Sequence, residues 1–234
     1  MAIEVRPPGD RFLTRAEGRA TWHAFSFGAH YDPDNVSFGP LVALNDELLP
    51  RGTGYDDHPH HDTEVVTWVL SGALRHRDSR GHDEVVGAGE VQVLSAGSGV
   101  VHAEVSAAAG PTRFVQSWLR PDETGLAPSY ATARVPPTAA LVVVAGGTGL
   151  PINTRAATLA VATLGAGDRV ELPAAPRLLG YVATGELLLD GRSLGAGAAV
   201  RMVDEGAREA TATAAGTQLL VWALGQVRAP ARPG

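Results

Sequence analysis

The residues of this chain best suited to chemistry are imidazoles and carboxylates set two positions apart. In Asp57-His58-Pro59-His60-His61-Asp62-Thr63-Glu64 two histidines stand at i and i+2. Side chains of an extended segment alternate between faces, so both rings project to one side. The stretch Gly99-Val100-Val101-His102-Ala103-Glu104 does the same with an imidazole and a carboxylate. If the two segments are neighbours in a barrel, His58, His60, His102 and Glu104 converge on one ion. Three neutral nitrogens and one carboxylate oxygen suit one divalent transition metal (Fe, Mn, Co, Ni, Cu or Zn) better than Ca or Mg, which take mostly oxygen. The chain has no cysteine, which removes thiolate ligands, disulfides and a cysteine nucleophile. A lone His-x-His is more often a pair of solvated loop histidines; two same-face pairs among glycine-marked strands form a far more specific pattern.

The elements that must position these groups read as short strands. Glycine and proline, 28 and 16 in 234 residues, punctuate short runs rich in Val, Leu and Thr, with no long 3.6-residue periodicity, which is the pattern of an all-β barrel or sandwich. Expected strands include 64–71, 90–95, 100–106, 113–119, 141–145, 158–164, 178–183, 186–190 and 217–224. The segment 121–139, rich in Pro, Thr and Ala without alternation, reads as the connection between two halves. An internal repeat supports two domains of one kind: Val69-Leu70-Ser71-Gly72, Asp78 and Gly87-Ala88-Gly89 recur as Val182-Ala183-Thr184-Gly185, Asp190 and Gly195-Ala196-Gly197. The expected units are 1–130, carrying the metal, and 131–234, in which the repeat offsets carry the ligands onto Glu171, Pro173, Ala210 and Ala212. The second unit contains no histidine and is expected to be metal-free and structural.

An unbroken strand through Glu64 would give it the parity of His58 and His60, facing inward behind the ligands or as a spare one. Val66, Trp68 and Leu70, of the same parity, then read as barrel core. His61 points away from the site, and His23, His30, His76 and His82 read as structural or solvent-facing. Gln116 reads equally as a hydrogen-bond donor lining the pocket or as a strand-pairing residue.

The order Gly54, His58-x-His60, Glu64, Gly72, then Gly89, Gly97 and His102 fits the cupin signature. More closely, His58-Pro59-His60 with Glu64, Ser95-Ala96-Gly97-x-Gly99-x-x-His102-x-Glu104 and Trp118-Leu119-Arg120-Pro121 resemble the pirin family over nearly the whole chain. Phe25-Ser26-Phe27-Gly28, Tyr31-Asp32-Pro33-Asp34-Asn35-Val36 and Gly125-Leu126-Ala127-Pro128-Ser129-Tyr130 are similar to the bacterial members. The resemblance implies two cupin barrels in tandem and a metal, commonly iron, on the four matching residues. It also implies either a quercetin 2,3-dioxygenase activity on a flavonol or enediol-like substrate with O2, with Glu104 as catalytic base, or a redox-sensing regulator acting through a protein partner.

Bulk properties bound these readings. A net charge of −6 argues against direct nucleic-acid binding, which draws on clustered positive charge. No apolar run reaches the roughly 18 residues of a membrane span, and the start lacks a secretory pattern, so a cytoplasmic protein is expected.

Overall fold

The computed structural model describes residues 2–16 and 18–225. Among them twenty-one strands, β1 to β21 in chain order, form four antiparallel sheets, and the single helical element is a 3-10 turn at Pro8–Asp10. In the first half a seven-stranded sheet runs β12 (Ser129–Arg134), β9 (Glu90–Ser95), β6 (Glu64–Ser71), β11 (Thr112–Leu119), β4 (Leu41–Leu49), β3 (Arg19–His23) and β2 (Phe12–Ala16). Over it lies a four-stranded sheet, β5 (Gly54–His60), β10 (Val100–Ser106), β7 (Ala73–Asp78) and β8 (Asp83–Gly87). The second half repeats the plan. Its six-stranded sheet runs β1 (Ala2–Arg6), β19 (Ala199–Glu205), β16 (Ala175–Thr184), β21 (Thr217–Leu224), β14 (Ala157–Leu164) and β13 (Val142–Ala145), and its four-stranded sheet β15 (Arg169–Leu172), β20 (Arg208–Ala212), β17 (Glu186–Leu189) and β18 (Arg192–Gly195). The fold is two cupin barrels in tandem.

The repeat seen in the sequence is a repeated hairpin device. Gly72 joins β6 to β7 at φ +78° and Gly185 joins β16 to β17 at φ +74°. Both adopt the left-handed conformation that favours glycine, and a Cβ at either would strike the threonine that begins a neighbouring strand, Thr112 or Thr217. Each threonine hydroxyl in turn bonds the residue after its glycine, Ala73 or Glu186.

The two large sheets pack face to face. Leu44, Val66, Trp68, Leu70 and Val115 of the first half share one apolar core with Leu159, Tyr181, Leu220 and Trp222 of the second. Large aromatic side chains bury about 150–250 Å² each, on the order of 4–6 kcal/mol at about 25 cal/mol/Å². Trp222 is fully buried and donates its indole N–H to Ser117 Oγ at 3.0 Å. The polar centre of this junction is Asp46, which accepts a two-pronged pair from Arg113 at 2.9 and 2.6 Å and the Tyr181 hydroxyl at 2.7 Å.

Three sequence expectations change. Residues 129–134, read as part of a connection, form β12 and pair with β9 from Ser129 opposite Ser95 to Arg134 opposite Glu90. The small Ala131 and Ala133 hide its alternation, and the ladder is held by backbone bonds at a sheet edge. The amino-terminal strand β1 pairs with β19, Ala2 opposite Val203, and so completes the sheet of the second half. Val66, Trp68 and Leu70 line the junction between halves rather than the barrel interior. Their parity changes because residues 61–63 turn, with Asp62 at φ +47°, so that β5 and β6 are separate strands. The interior face of β6 carries Val65, Thr67 and Val69 instead.

Candidate metal centre

The candidate centre lies where β5 and β10 pair. His58 stands opposite His102 and His60 opposite Val100, so the two-residue periodicity brings all three imidazoles to one face. Their ring centroids are 4.9 Å (His58–His60), 4.4 Å (His58–His102) and 5.0 Å (His60–His102) apart, and a ligand nitrogen from each lies within 4.8 Å of the others. The approach of the strands depends on Gly54, which has no side chain to collide with the backbone carbonyl of Glu104.

The nitrogens are prepared as electron-pair donors. His58 Nδ1 donates to the carbonyl of Asp56 at 2.7 Å, which leaves Nε2 bare. Burial holds His102 down to about 3 and His60 down to about 4, with neighbouring imidazoles adding to both. Both are therefore neutral at physiological pH. His102 is 1% exposed, and its Nε2 is a buried polar atom with no partner. Such an atom is costly in a dry interior, and a cation held by three imidazoles would satisfy it. The donor set thus fits a divalent transition metal.

Glu104 is brought near but arranged differently. Its carboxylate is grouped with His76 and His102, not with His58 and His60. Gln92 Nε2 donates to Oε1 at 2.5 Å and Gln116 Nε2 to Oε2 at 2.8 Å. Each amide is oriented from behind: Trp118 Nε1 donates to Gln116 Oε1 at 2.8 Å and the Tyr130 hydroxyl to Gln92 Oε1 at 3.1 Å. Gln116 is accordingly one of two amide donors to Glu104 and also pairs in the sheet opposite Asn45 and Thr67, so both of its readings hold. Glu64, 1% exposed, lies elsewhere: it accepts from Ser95 Oγ at 2.5 Å and from the backbone and side-chain nitrogens of Asn153 at 3.1 and 3.2 Å. It ties the halves together, and the turn at 61–63 is why its expected inward parity fails.

The structure adds residues that sequence reasoning passed over. His76, fully buried, lies against His102 with Nδ1 to Nδ1 at 3.5 Å, stacks on Tyr130, and meets Asp78. Burial would raise the Asp78 carboxyl, but hydrogen bonds from the His76 and His82 side chains and from the backbone of His82 and Arg80 outweigh it and hold it at about 2. The signal available was another same-face pair, His76-x-Asp78, in a strand too charged to be recognised.

His61 is exposed beside Asp62. His23 is a satisfied core histidine between Thr14 and Asn45. In the second barrel Ala210 and Ala212 pack with Val170, Leu187 and Leu189. A cavity of about 460 Å³ at the junction of the halves is lined by Trp68, Leu70, Arg134, Val161 and Gln218 among others, with neither histidine nor carboxylate.

Fold and site together define a bicupin with a histidine-rich, metal-competent first barrel. The chain belongs to the pirin family: the Pirin family model matches residues 8–119. A Mycobacterium tuberculosis protein provisionally named a quercetin 2,3-dioxygenase is 41% identical over 232 residues, 95% of each chain. An Escherichia coli protein named quercetin 2,3-dioxygenase is 41% identical over 115 residues, 49% of this chain and 50% of that one. Among solved structures, the bacterial pirin YhhW of Escherichia coli in complex with nickel(II) is 29% identical, covers 97% of this chain and 100% of its own, and superposes with a TM-score of 0.89. No helix of the described residues is long and apolar enough to cross a membrane.

Proposed function

We propose that this chain is a cytoplasmic oxygenase that holds one divalent transition ion, iron in its working form, through His58, His60, His102 and Glu104, and opens a flavonol or similar enediol-like substrate with O2. The observation that carries the reading is His102 Nε2, buried without a partner beside two further imidazoles. The substrate class is supported by the names of the relatives. A transition ion bound there supplies Lewis acidity toward a substrate hydroxyl and a redox partner for O2.

The chain's own groups do the rest. The donated hydrogen bonds of Gln92 and Gln116 keep Glu104 fixed as an acceptor, and Glu104 takes the proton that the substrate hydroxyl loses. Trp118, nearly perpendicular to His60 with ring centroids 4.9 Å apart, sets a large aromatic group beside the imidazoles, in keeping with a planar aromatic substrate. The test is to load the protein with Fe, Ni, Mn, Co, Cu or Zn and supply quercetin under O2. One O2 consumed and one carbon monoxide released per quercetin is the expected result. A protein that binds metal yet neither consumes O2 nor releases carbon monoxide with any of these ions would overturn the oxygenase reading in favour of a regulator working through a protein partner.

A further inference from the structure

The third strand of the small sheet carries a buried polar chain that the proposed chemistry does not use. Its register sets Asp78 opposite His102 and His76 opposite Glu104. Both side chains are fully buried, and His76 Nε2 lies 3.1 Å from Asp78 Oδ2. The same carboxylate oxygen meets His82 Nδ1 at 2.8 Å, and Asp78 Oδ1 accepts from the backbone N–H of Arg80 and of His82 at 2.8 and 3.1 Å. His76 is further locked by stacking on Tyr130, centroids 4.2 Å apart and planes 13° off parallel.

The proton positions follow from this arrangement. An ionised carboxylate only accepts, so the proton of a neutral His76 sits on Nε2 and its Nδ1 is a bare acceptor. That acceptor faces His102 Nδ1 at 3.5 Å, the outer limit of a hydrogen bond. His102 then carries its proton on Nδ1, and its electron pair stands on Nε2, the atom without a partner. His58 gains the same commitment from a backbone carbonyl, but His102 depends on another side chain.

We propose that His76, clamped by Asp78, is a positioning residue of the metal centre, which fixes the tautomer and ring orientation of His102 and so sets the affinity for the ion. This rests on the reading of His102 as a ligand. Metal-binding histidines are commonly held by such a partner on the far nitrogen, and its loss costs about 10–100-fold in affinity.

The experiment is a Co(II) titration of the metal-free full chain against a competing chelator, read by the visible absorption of the bound ion, with melting followed in parallel. His76→Gln reaches Asp78 but leaves no acceptor at Nδ1, and affinity should fall about 10–100-fold. His76→Asn sets an amide oxygen near the Nδ1 position and should recover most of the loss. If His76→Gln does not fold, Asp78→Asn loosens the clamp with an isosteric group and should weaken binding in the same direction. Binding by His76→Gln within twofold of wild type overturns the proposal, as do equal losses in His76→Gln and His76→Asn, which would reduce the role to packing; where Asp78→Asn stands in, no loss does the same. The underlying reading is tested separately: if His102→Ala binds Co(II) like wild type, it is the ligand assignment that fails.

Discussion

Glu47 lies on β4, 3% exposed, on the barrel side of the seven-stranded sheet. Its Oε2 accepts from Thr21 Oγ1 at 2.6 Å and from the Tyr55 hydroxyl at 2.9 Å, two neutral donors. Burial raises the carboxyl from 4.5 to about 7, against the lowering effect of those bonds and with help from the charges of Glu104 and Asp46. The folded state thus holds a proton up to about pH 7 that the unfolded chain releases near 4.5. Between these values the folded state binds more protons, so this stability is fully present below 4.5 and is lost as pH rises through 7. A shift of that size corresponds to about 3 kcal/mol. Glu47→Gln removes the ionisation while keeping an acceptor for Thr21 and Tyr55. Whatever fixed offset the amide brings, the melting temperature of the variant relative to wild type should climb by roughly 6–12 °C between pH 4.5 and pH 8 for a chain of this length. Scanning calorimetry on both proteins, metal-free, measures it. The comparison cancels His60 and His102, whose lowered values act oppositely and remove stability as pH falls below 6.5. A difference that stays flat with pH would refute the account of Glu47 as a buried acid that ionises at a cost.

Three further outcomes are expected. Glu104→Gln should retain much of the metal but lose about 10²–10⁴-fold in flavonol turnover per bound ion, and equal turnover per ion would take Glu104 out of the base role. His60→Ala should lower metal content while the fold survives, because the barrel is held by its strands and core; failure of chelated wild type to melt cooperatively would contradict this. Gly54→Ala drives a Cβ onto the backbone of Glu104 and Val105, so it should cost about 1–3 kcal/mol and weaken metal binding by parting β5 from β10. Gly110→Ala, with open space around it, is the control, and equal effects at the two positions would remove Gly54 from its spacing role.

The gathering of His58, His60 and His102 was legible because two-residue spacing in extended chain leaves little freedom, and the pairing of β5 with β10 needed only that the segments be neighbours. Strands with dense Val and Leu were read closely; Glu64–Ser71, Glu90–Ser95 and Thr217–Leu224 fall where expected. Parity failed where it was carried across residues 61–63, since one residue in the left-handed region resets which face comes next. That single turn moved Glu64 from the site to Asn153 and Trp68 from the barrel to the junction. Ala73–Asp78 escaped because Leu74-Arg75-His76-Arg77-Asp78 resembles a solvated segment, whereas its histidine and aspartate are paid for by each other inside the fold. The amino-terminal strands escaped because their alternation is shallow, and Ala2–Arg6 also because its partner lies far along the chain.

The strand Ala2–Arg6 has a consequence for the order of events during synthesis. It leaves the ribosome well ahead of the strand it joins, Ala199–Glu205, which follows some two hundred residues later. The metal-competent barrel can close from its own segments as they emerge, since every strand of its two sheets lies between Phe12 and Arg134. The second barrel cannot complete its large sheet until Ala199–Glu205 has come round to Ala2–Arg6. Joining such distant segments carries a loop-closure cost that nearby pairs avoid, and folding rates fall as contacts become less local. A strand made early is thus among the last to find its place, and until then its apolar Ile3 and Val5 wait for the cluster they pack against in the second barrel.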